Sequence, residues 1–438
     1  MQQHFTSPMK QICFLVFVFC VPLSIHAQQS KNDLVYTSDI DRFWIAFDSV
    51  RSTSDTAKQV QLIQRLYIDK GTEGLQAFMK ARDYNARLWA ELINKYPRFW
   101  QSVRGNTLLI KDQENAIVKS ILNFKKLYPA MRPAKMYFTV GGLRSGGTTT
   151  DDMVLVGVEI ATADKNTDAS ELNDWLKNVF KNQESSNLVA LNVHEYVHTQ
   201  QKSGGETVLA RCVAEGAADF IAELVTKRQN NSAYMIYGRE NEMELKQKFR
   251  VDMFSTASGI WLYNGSNSSH PDLGYFMGYA ICKAYYQQHA NKKQAIKNII
   301  ELDYTNGQQV TDFLKQSGYY AEAINKDELL AQFEKLQPYV LRLDPAINLQ
   351  KNVPSTLTEL TIYFSESMTK GVSISFGEGG KEHFPLTDVI GFADDMKSFK
   401  VKLSLSPGTS YNFIITGRSF KSQRGYPLKE YNVQFEVQ

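Results

Sequence analysis

Apolar residues recur at three- and four-residue intervals from Asp39 to about Tyr128, where Phe43, Trp44, Phe47, Leu62, Ile63, Leu66, Tyr67, Phe78, Leu88, Trp89, Leu92 and Ile93 mark one helical face after another. The pattern then shortens. Met136 to Val140 and Val154 to Ile160 read as strands joined by a Gly- and Thr-rich turn. They are open to two readings: a cleft rim whose edge strand pairs with an extended peptide, or a plain hairpin covering the helices. Helical periodicity returns over Asn187 to Lys202, resumes after a Ser203-Gly204-Gly205 break over Ala210 to Val225, and opens once more from Tyr275 to about Ala290. Beyond Leu343 to Pro354 it gives way to alternation in Leu360/Ile362/Phe364, Phe399/Val401/Leu403/Leu405, Tyr411/Phe413/Ile415 and Val433/Phe435/Val437. With turns at Gly377 to Gly380, Pro407-Gly408 and Gly425, that stretch predicts an all-β sandwich.

The expected fold class is therefore α+β. A mostly helical domain with a small sheet spans 28–342, its helical N-terminal part covers 35–130, and a β-sandwich covers 343–438. A chain of 438 residues is in any case long for one domain.

The chemistry is concentrated in His194-Glu195-Tyr196-Val197-His198. On a helix, H-E-x-x-H sets two imidazoles one turn apart on one face, able to share a zinc ion, with the glutamate beside them to move protons. In the following helix Glu215 and Asp219 are also one turn apart on one face. If the two helices pack antiparallel, His194, His198 and Glu215 converge as three ligands and leave a fourth position for water.

H-E-x-x-H followed by E-x-x-x-D resembles the gluzincin metallopeptidases, the group of thermolysin and aminopeptidase N. The resemblance implies Zn2+ on His194, His198 and Glu215, Glu195 as general base, and Asp219 fixing the tautomer of His194. The gap from His198 to Glu215 is short for that group. Tyr275-Phe-Met-Gly278 resembles its Y-x-x-G segment, which implies that Tyr275 steadies the oxyanion; Tyr279 on the same helix face and His270 just upstream are further candidates. Asp39-Ile-Asp-Arg-Phe-Trp44 and Gly146-Gly147-Thr148, taken with the zinc helices, are similar to predicted zinc-dependent proteases of Bacteroidetes-type bacteria related to the gliding-motility lipoprotein GldB. Leu360 to Met368 resembles the Ig-like domains of bacterial surface-layer proteins, which implies a spacer or substrate-positioning arm.

Residues 1–27 carry Lys10 alone among charged side chains, then an apolar run from Ile12 to Ile25 and a small residue at Ala27. This predicts a cleaved signal peptide, a secreted or periplasmic protein and no integral membrane segment thereafter. Phe19 before Cys20 is too large for a lipoprotein signal. The formal charge of +3 falls by one when Lys10 leaves, so nothing favours nucleic acid as a partner; a peptide or protein substrate is expected. Cys212 and Cys282 then remain, too few for a disulfide scaffold; they are open to a bridge or to two buried thiols. Two functions follow: a zinc peptidase, or a non-catalytic surface-associated binding or assembly factor. A pure scaffold has no need of Glu195 or Asp219, which favours the peptidase.

Overall fold

The computed structural model describes residues 33–183, 188–202, 204–265 and 268–438. The expected signal peptide and Ser203 lie outside them. At 48% helix and 15% strand the chain is α+β, and no described helix is long and apolar enough to cross a membrane.

Strand β1 (Val35–Tyr36) leads into a helical layer of α1 (Ser38–Arg51), α2 (Thr56–Ile63), α3 (Glu73–Arg82), α4 (Ala86–Lys95), α5 (Pro97–Leu108) and α6 (Ile110–Leu127). The apolar stripe read from the sequence forms its core: Phe43, Tyr67, Trp89 and Trp100 are buried and their rings pack edge to face or tilted. The Asp39 motif is an anchor here. The Asp39 carboxylate is buried, accepts from Thr72 N at 3.1 Å and pairs with Arg42 at 2.6 Å, which ties the start of α1 to the start of α3.

Strands β2 (Lys135–Thr139), β3 (Gly147–Thr149) and β4 (Met153–Gly157) join β1 in a sheet ordered β1-β2-β4-β3. The two strands expected from the sequence, β2 and β4, pair parallel, so they do not form a hairpin; β3, between them in sequence, runs antiparallel to β4 and makes the edge. The expected strand 154–160 ends at Gly157, and Val158–Ala161 turns into a short helix, α7. The cause is Glu159. Its fully buried carboxylate accepts Gly141 N at 2.7 Å and Leu143 N at 3.2 Å, which pulls the chain back against the β2–β3 loop.

After α8 (Asp174–Asn182) come α9 (Leu188–His198) and α10 (Val208–Thr226). Helix α9 stops at His198, short of the expected Lys202, and Gln200 N and Gln201 N turn back onto Val197 O. Gly204 and Gly205 follow at φ +116° and +107°, a region that L side chains rarely enter, and Thr207 caps α10 at Ala210 N. Tyr196 locks α9 to the sheet: its hydroxyl donates to Ala134 O and accepts Ala134 N, just before β2. The helical body is completed by α11 (Ala233–Glu240), α12 (Glu242–Asp252), α13 (Leu273–Gln288), α14 (Lys292–Ile300), α15 (Gly307–Ser317) and α16 (Lys326–Leu336). Cys212 and Cys282 are buried and unbridged.

From residue 340 onward there are two sheets. Strands β5 (Val340–Asp344), β6 (Glu359–Phe364), β9 (Ser398–Leu403) and β8 (Leu386–Phe392) form one, and β7 (Ile374–Phe376), β10 (Ser410–Ile415) and β11 (Tyr431–Glu436) form the other. The alternating positions named above point between them into an apolar core separate from that of the helical body.

Candidate metal centre

Helices α9 and α10 pack antiparallel: Gln201 reaches Ala214, His198 reaches Glu215 and His194 reaches Asp219. Three donor atoms therefore converge. His194 Nε2 and His198 Nε2 are 3.0 Å apart, and Glu215 Oε2 lies 3.4 Å from the first and 3.2 Å from the second. Among the described residues this is the group able to hold a metal ion.

The outer atoms of each donor decide what the inner atoms carry. Asp219 Oδ1 sits 2.8 Å from His194 Nδ1, so that nitrogen holds the proton. Gln201 donates its amide to Ala214 O at 2.9 Å and to Tyr304 OH at 3.1 Å, which leaves its Oε1 facing His198 Nδ1 at 2.7 Å as an acceptor. Both Nε2 atoms thus present lone pairs to each other. Glu215 Oε2, buried and without a hydrogen-bond donor among the described residues, adds a third. Three lone pairs facing one small volume repel unless a cation lies among them, and donors around a tetrahedral zinc stand about 3.3 Å apart. The residues fit zinc.

The electrostatics favour positive charge at this point, supplied by a metal ion or, without one, by protons on the imidazoles. Burial pushes the His194 imidazole down, but the carboxylates of Asp219 and Glu215 outweigh it and hold its basicity well above the ordinary value. Burial likewise pushes Glu215 up, and the two imidazoles more than reverse this, keeping it an anion. Glu195, half-buried on α9, takes no hydrogen bond from a described residue, so its carboxylate is free to meet a water.

Two hydroxyls stand over the cluster. The Tyr275 ring stacks against His194 at 6.0 Å between centroids, and its phenol lies beside that of Tyr263. Tyr263 donates to Glu215 Oε1 at 2.7 Å. Burial, then the nearby Glu215, raises both phenols above their usual range, so both remain hydrogen-bond donors. The other two candidates are elsewhere. Tyr279 is turned away and donates to Glu223 Oε1 at 2.7 Å, while the exposed His270 stacks on Tyr237 at 3.7 Å and meets Ser269.

Three supporting residues escaped the sequence reading. Gln201 is three positions after His198, in the turn that closes α9, so its nearness in sequence could have found it. Tyr234 donates to Asp219 Oδ2 at 3.0 Å, and Tyr263 sits at φ +57° in a loop pinned by its own N–H to Asp272 Oδ1 at 2.6 Å; neither has a local sequence signal.

Residues 109–305 match the model of a family described as "Predicted Zn-dependent protease (DUF2268)". The matched span encloses all three metal-ligand candidates, Glu195 and Tyr275, and supports a zinc protease. No curated protein matches. Among solved structures, the S-layer protein rSbsC(31-844) aligns at 13% identity over 61% of this chain and 37% of that chain, with a TM-score of 0.18. The N-terminal part of the bacterial S-layer protein SbsC aligns at 13% identity over 61% and 63%, also at 0.18. The chain thus spans less than two thirds of those proteins, and at such TM-scores the likeness carries no argument.

Proposed function

We propose that this chain is an exported zinc-dependent metallopeptidase. The observation that carries the reading is the convergence of two imidazole lone pairs and an orphaned carboxylate oxygen within 3.4 Å of one another, with Glu195 on the same helix as both histidines. Zinc held by His194, His198 and Glu215 would polarise a carbonyl and acidify water. Asp219 and Gln201 keep the ligand nitrogens unprotonated by holding the proton on the opposite side of each ring. Glu195 takes a proton from the attacking water and passes it to the leaving amine nitrogen. Tyr275 donates a hydrogen bond to the oxygen that becomes negative as the carbonyl is attacked, while the one phenolic hydrogen of Tyr263 is held by Glu215. Edge strand β3, packed against α9, offers backbone groups to an extended peptide.

Export rests on the charge and apolar pattern of residues 1–27. The two-sheet unit after residue 340 is read as an Ig-like module that positions large substrates. The experiment is metal analysis of purified mature protein together with digestion of a broad peptide library by wild type and Glu195→Gln. One zinc per chain in both proteins, with cleavage in the wild type only, is expected. A metal-loaded wild type that cleaves nothing would favour the binding-factor reading.

A further inference from the structure

A cavity of about 780 Å³ opens between α6, α9, the end of α10 and the segment leading into α11. It shares a wall with the metal centre. Asp219, which holds His194 from one side, faces the cavity, and so does Tyr234, which donates to its second oxygen. Leu191, also in the lining, is one turn before Glu195 on α9, so it belongs to the same helix face. A substrate side chain that reaches from Glu195 past Leu191 would enter this space, whose volume is that of an ordinary ligand pocket.

The charge balance of the lining is lopsided. Among the described residues the lining holds two carboxylates, both already engaged: Asp219 lies between His194 and Tyr234, and Glu223 accepts Tyr279 OH at 2.7 Å and Asn230 N at 3.1 Å. The three cations among its described residues, Lys119, Lys227 and Arg228, are exposed, and none is ion-paired with a described residue. Leu188, Val189 and Val225 supply an apolar inner wall.

We propose that this cavity is a specificity pocket for acidic side chains, so that the substrates are acidic peptide segments. A glutamate fits both parts, laying its methylenes on the apolar wall and its carboxylate among the cations. The inference rests on the peptidase reading for the cleavage step but not for binding.

The test compares peptides of one sequence carrying Glu, Ala or Lys beside the scissile bond, using the full-length mature chain. Lys119→Glu combined with Arg228→Glu alters two exposed positions outside the metal centre; Lys227 is left alone because its φ of +56° makes substitution awkward. Wild type is expected to prefer the Glu peptide about tenfold in kcat/KM, since several exposed pairs of modest strength add to about that factor. Added salt should erode the preference. The double variant should lose it and turn toward the Lys peptide while cleaving the Ala peptide as before. Binding of the three peptides, dansyl-labelled, to the Glu195→Gln chain supplies a readout without turnover. Cleavage by wild type with no dependence on charge would overturn the pocket and leave the peptidase standing. Binding of the Glu peptide that the double variant loses, with no cleavage by wild type, would retain the pocket and remove the peptidase. Equal binding of all three peptides would discard the pocket.

Discussion

Gly216 on α10 and Gly278 on α13 touch backbone to backbone: a Cβ on Gly216 would lie 2.0 Å from Tyr279 N, and one on Gly278 would lie 1.7 Å from Cys212 O. A Cβ on Gly274, one turn earlier on α13, would lie 2.6 Å from the Cys212 sulfur, less close but still inside contact distance. These contacts give the Y-x-x-G segment a physical meaning. Only without side chains at positions 274 and 278 can α13 lie flat on α10 and deliver the Tyr275 ring to His194.

Gly278→Ala should accordingly force the helices apart. Overpacking against backbone has no flexible neighbour to absorb it, so a loss of about 3 kcal/mol or more is expected in urea denaturation. Gly105→Ala is the contrasting case. It sits exposed in α5 with nothing within 4 Å of its would-be Cβ, so the better helix former should leave stability unchanged or raise it by about 0.5–1 kcal/mol. Equal losses in both variants would show that close approach is not what Gly278 provides.

Tyr263→Phe removes the hydroxyl that faces Glu215 from a loop residue that is otherwise exposed, and should leave the fold intact. It frees Glu215 Oε1, which then no longer has its 2.7 Å donor and can swing. Zinc affinity measured by chelator competition should fall about tenfold, the lower end for loss of a group that orients a metal ligand. His198→Ala should remove most bound zinc. If Tyr263→Phe binds zinc as tightly as wild type, the phenol does not position Glu215.

The paired helices of the metal centre were legible because their chemistry is written in helical spacing: His194 and His198 at four residues, Glu215 and Asp219 likewise. The partners on other elements were not. Tyr263 reaches Glu215 from 48 residues away, through a loop whose left-handed residues Tyr263 and Asp272 obey no periodic rule. Periodicity also ran past Gly157, because Val158 and Ile160 continue the apolar alternation of a strand, while the turn there is dictated by a buried carboxylate that no pattern of apolar positions can reveal. Strand β8 went unread for the opposite reason: it is an edge strand whose Val389 and Ile390 are both exposed, so alternation does not describe it.

Glu159 makes stability depend on pH in a defined direction. Burial, only partly offset by the N–H groups of Gly141 and Leu143, raises its pKa to about 7. The folded chain therefore binds this proton more tightly than the unfolded chain, whose glutamate titrates near about 4.3. Its contribution is fully present below that lower value and is lost as pH rises through about 7, a change on the order of 3 kcal/mol. Urea denaturation of the metal-free chain between about pH 5 and pH 8 should show wild type losing more stability than Glu159→Gln, which has no proton to release there. Parallel pH curves for the two proteins would mean that Glu159 is ionised throughout.

Asp252 joins the helical body to the two-sheet unit. It is fully buried on α12, and its oxygens accept Trp261 Nε1 at 2.9 Å and Tyr426 OH at 3.2 Å, the latter from the C-terminal unit, whose ring also packs on Phe333 at 5.6 Å. Burial already pushes this carboxyl up, so losing one donor is costly. Tyr426→Phe should destabilise the full chain by about 1–3 kcal/mol, the usual consequence of leaving a buried acceptor unsatisfied. A chain ending at Gln337 removes that donor too, but opens Asp252 to water, which replaces it. The shortened chain is therefore expected to stay folded, bind one zinc and cleave small peptides, because His194, His198, Glu215 and their hydrogen-bond partners all precede residue 305 and sit on elements of the helical body, which has an apolar core of its own. Any activity loss should be confined to large substrates. Metal analysis and peptide digestion of the shortened chain check this: absence of zinc would make the two-sheet unit part of the catalytic fold, with the Asp252–Tyr426 contact as its structural link to the metal centre.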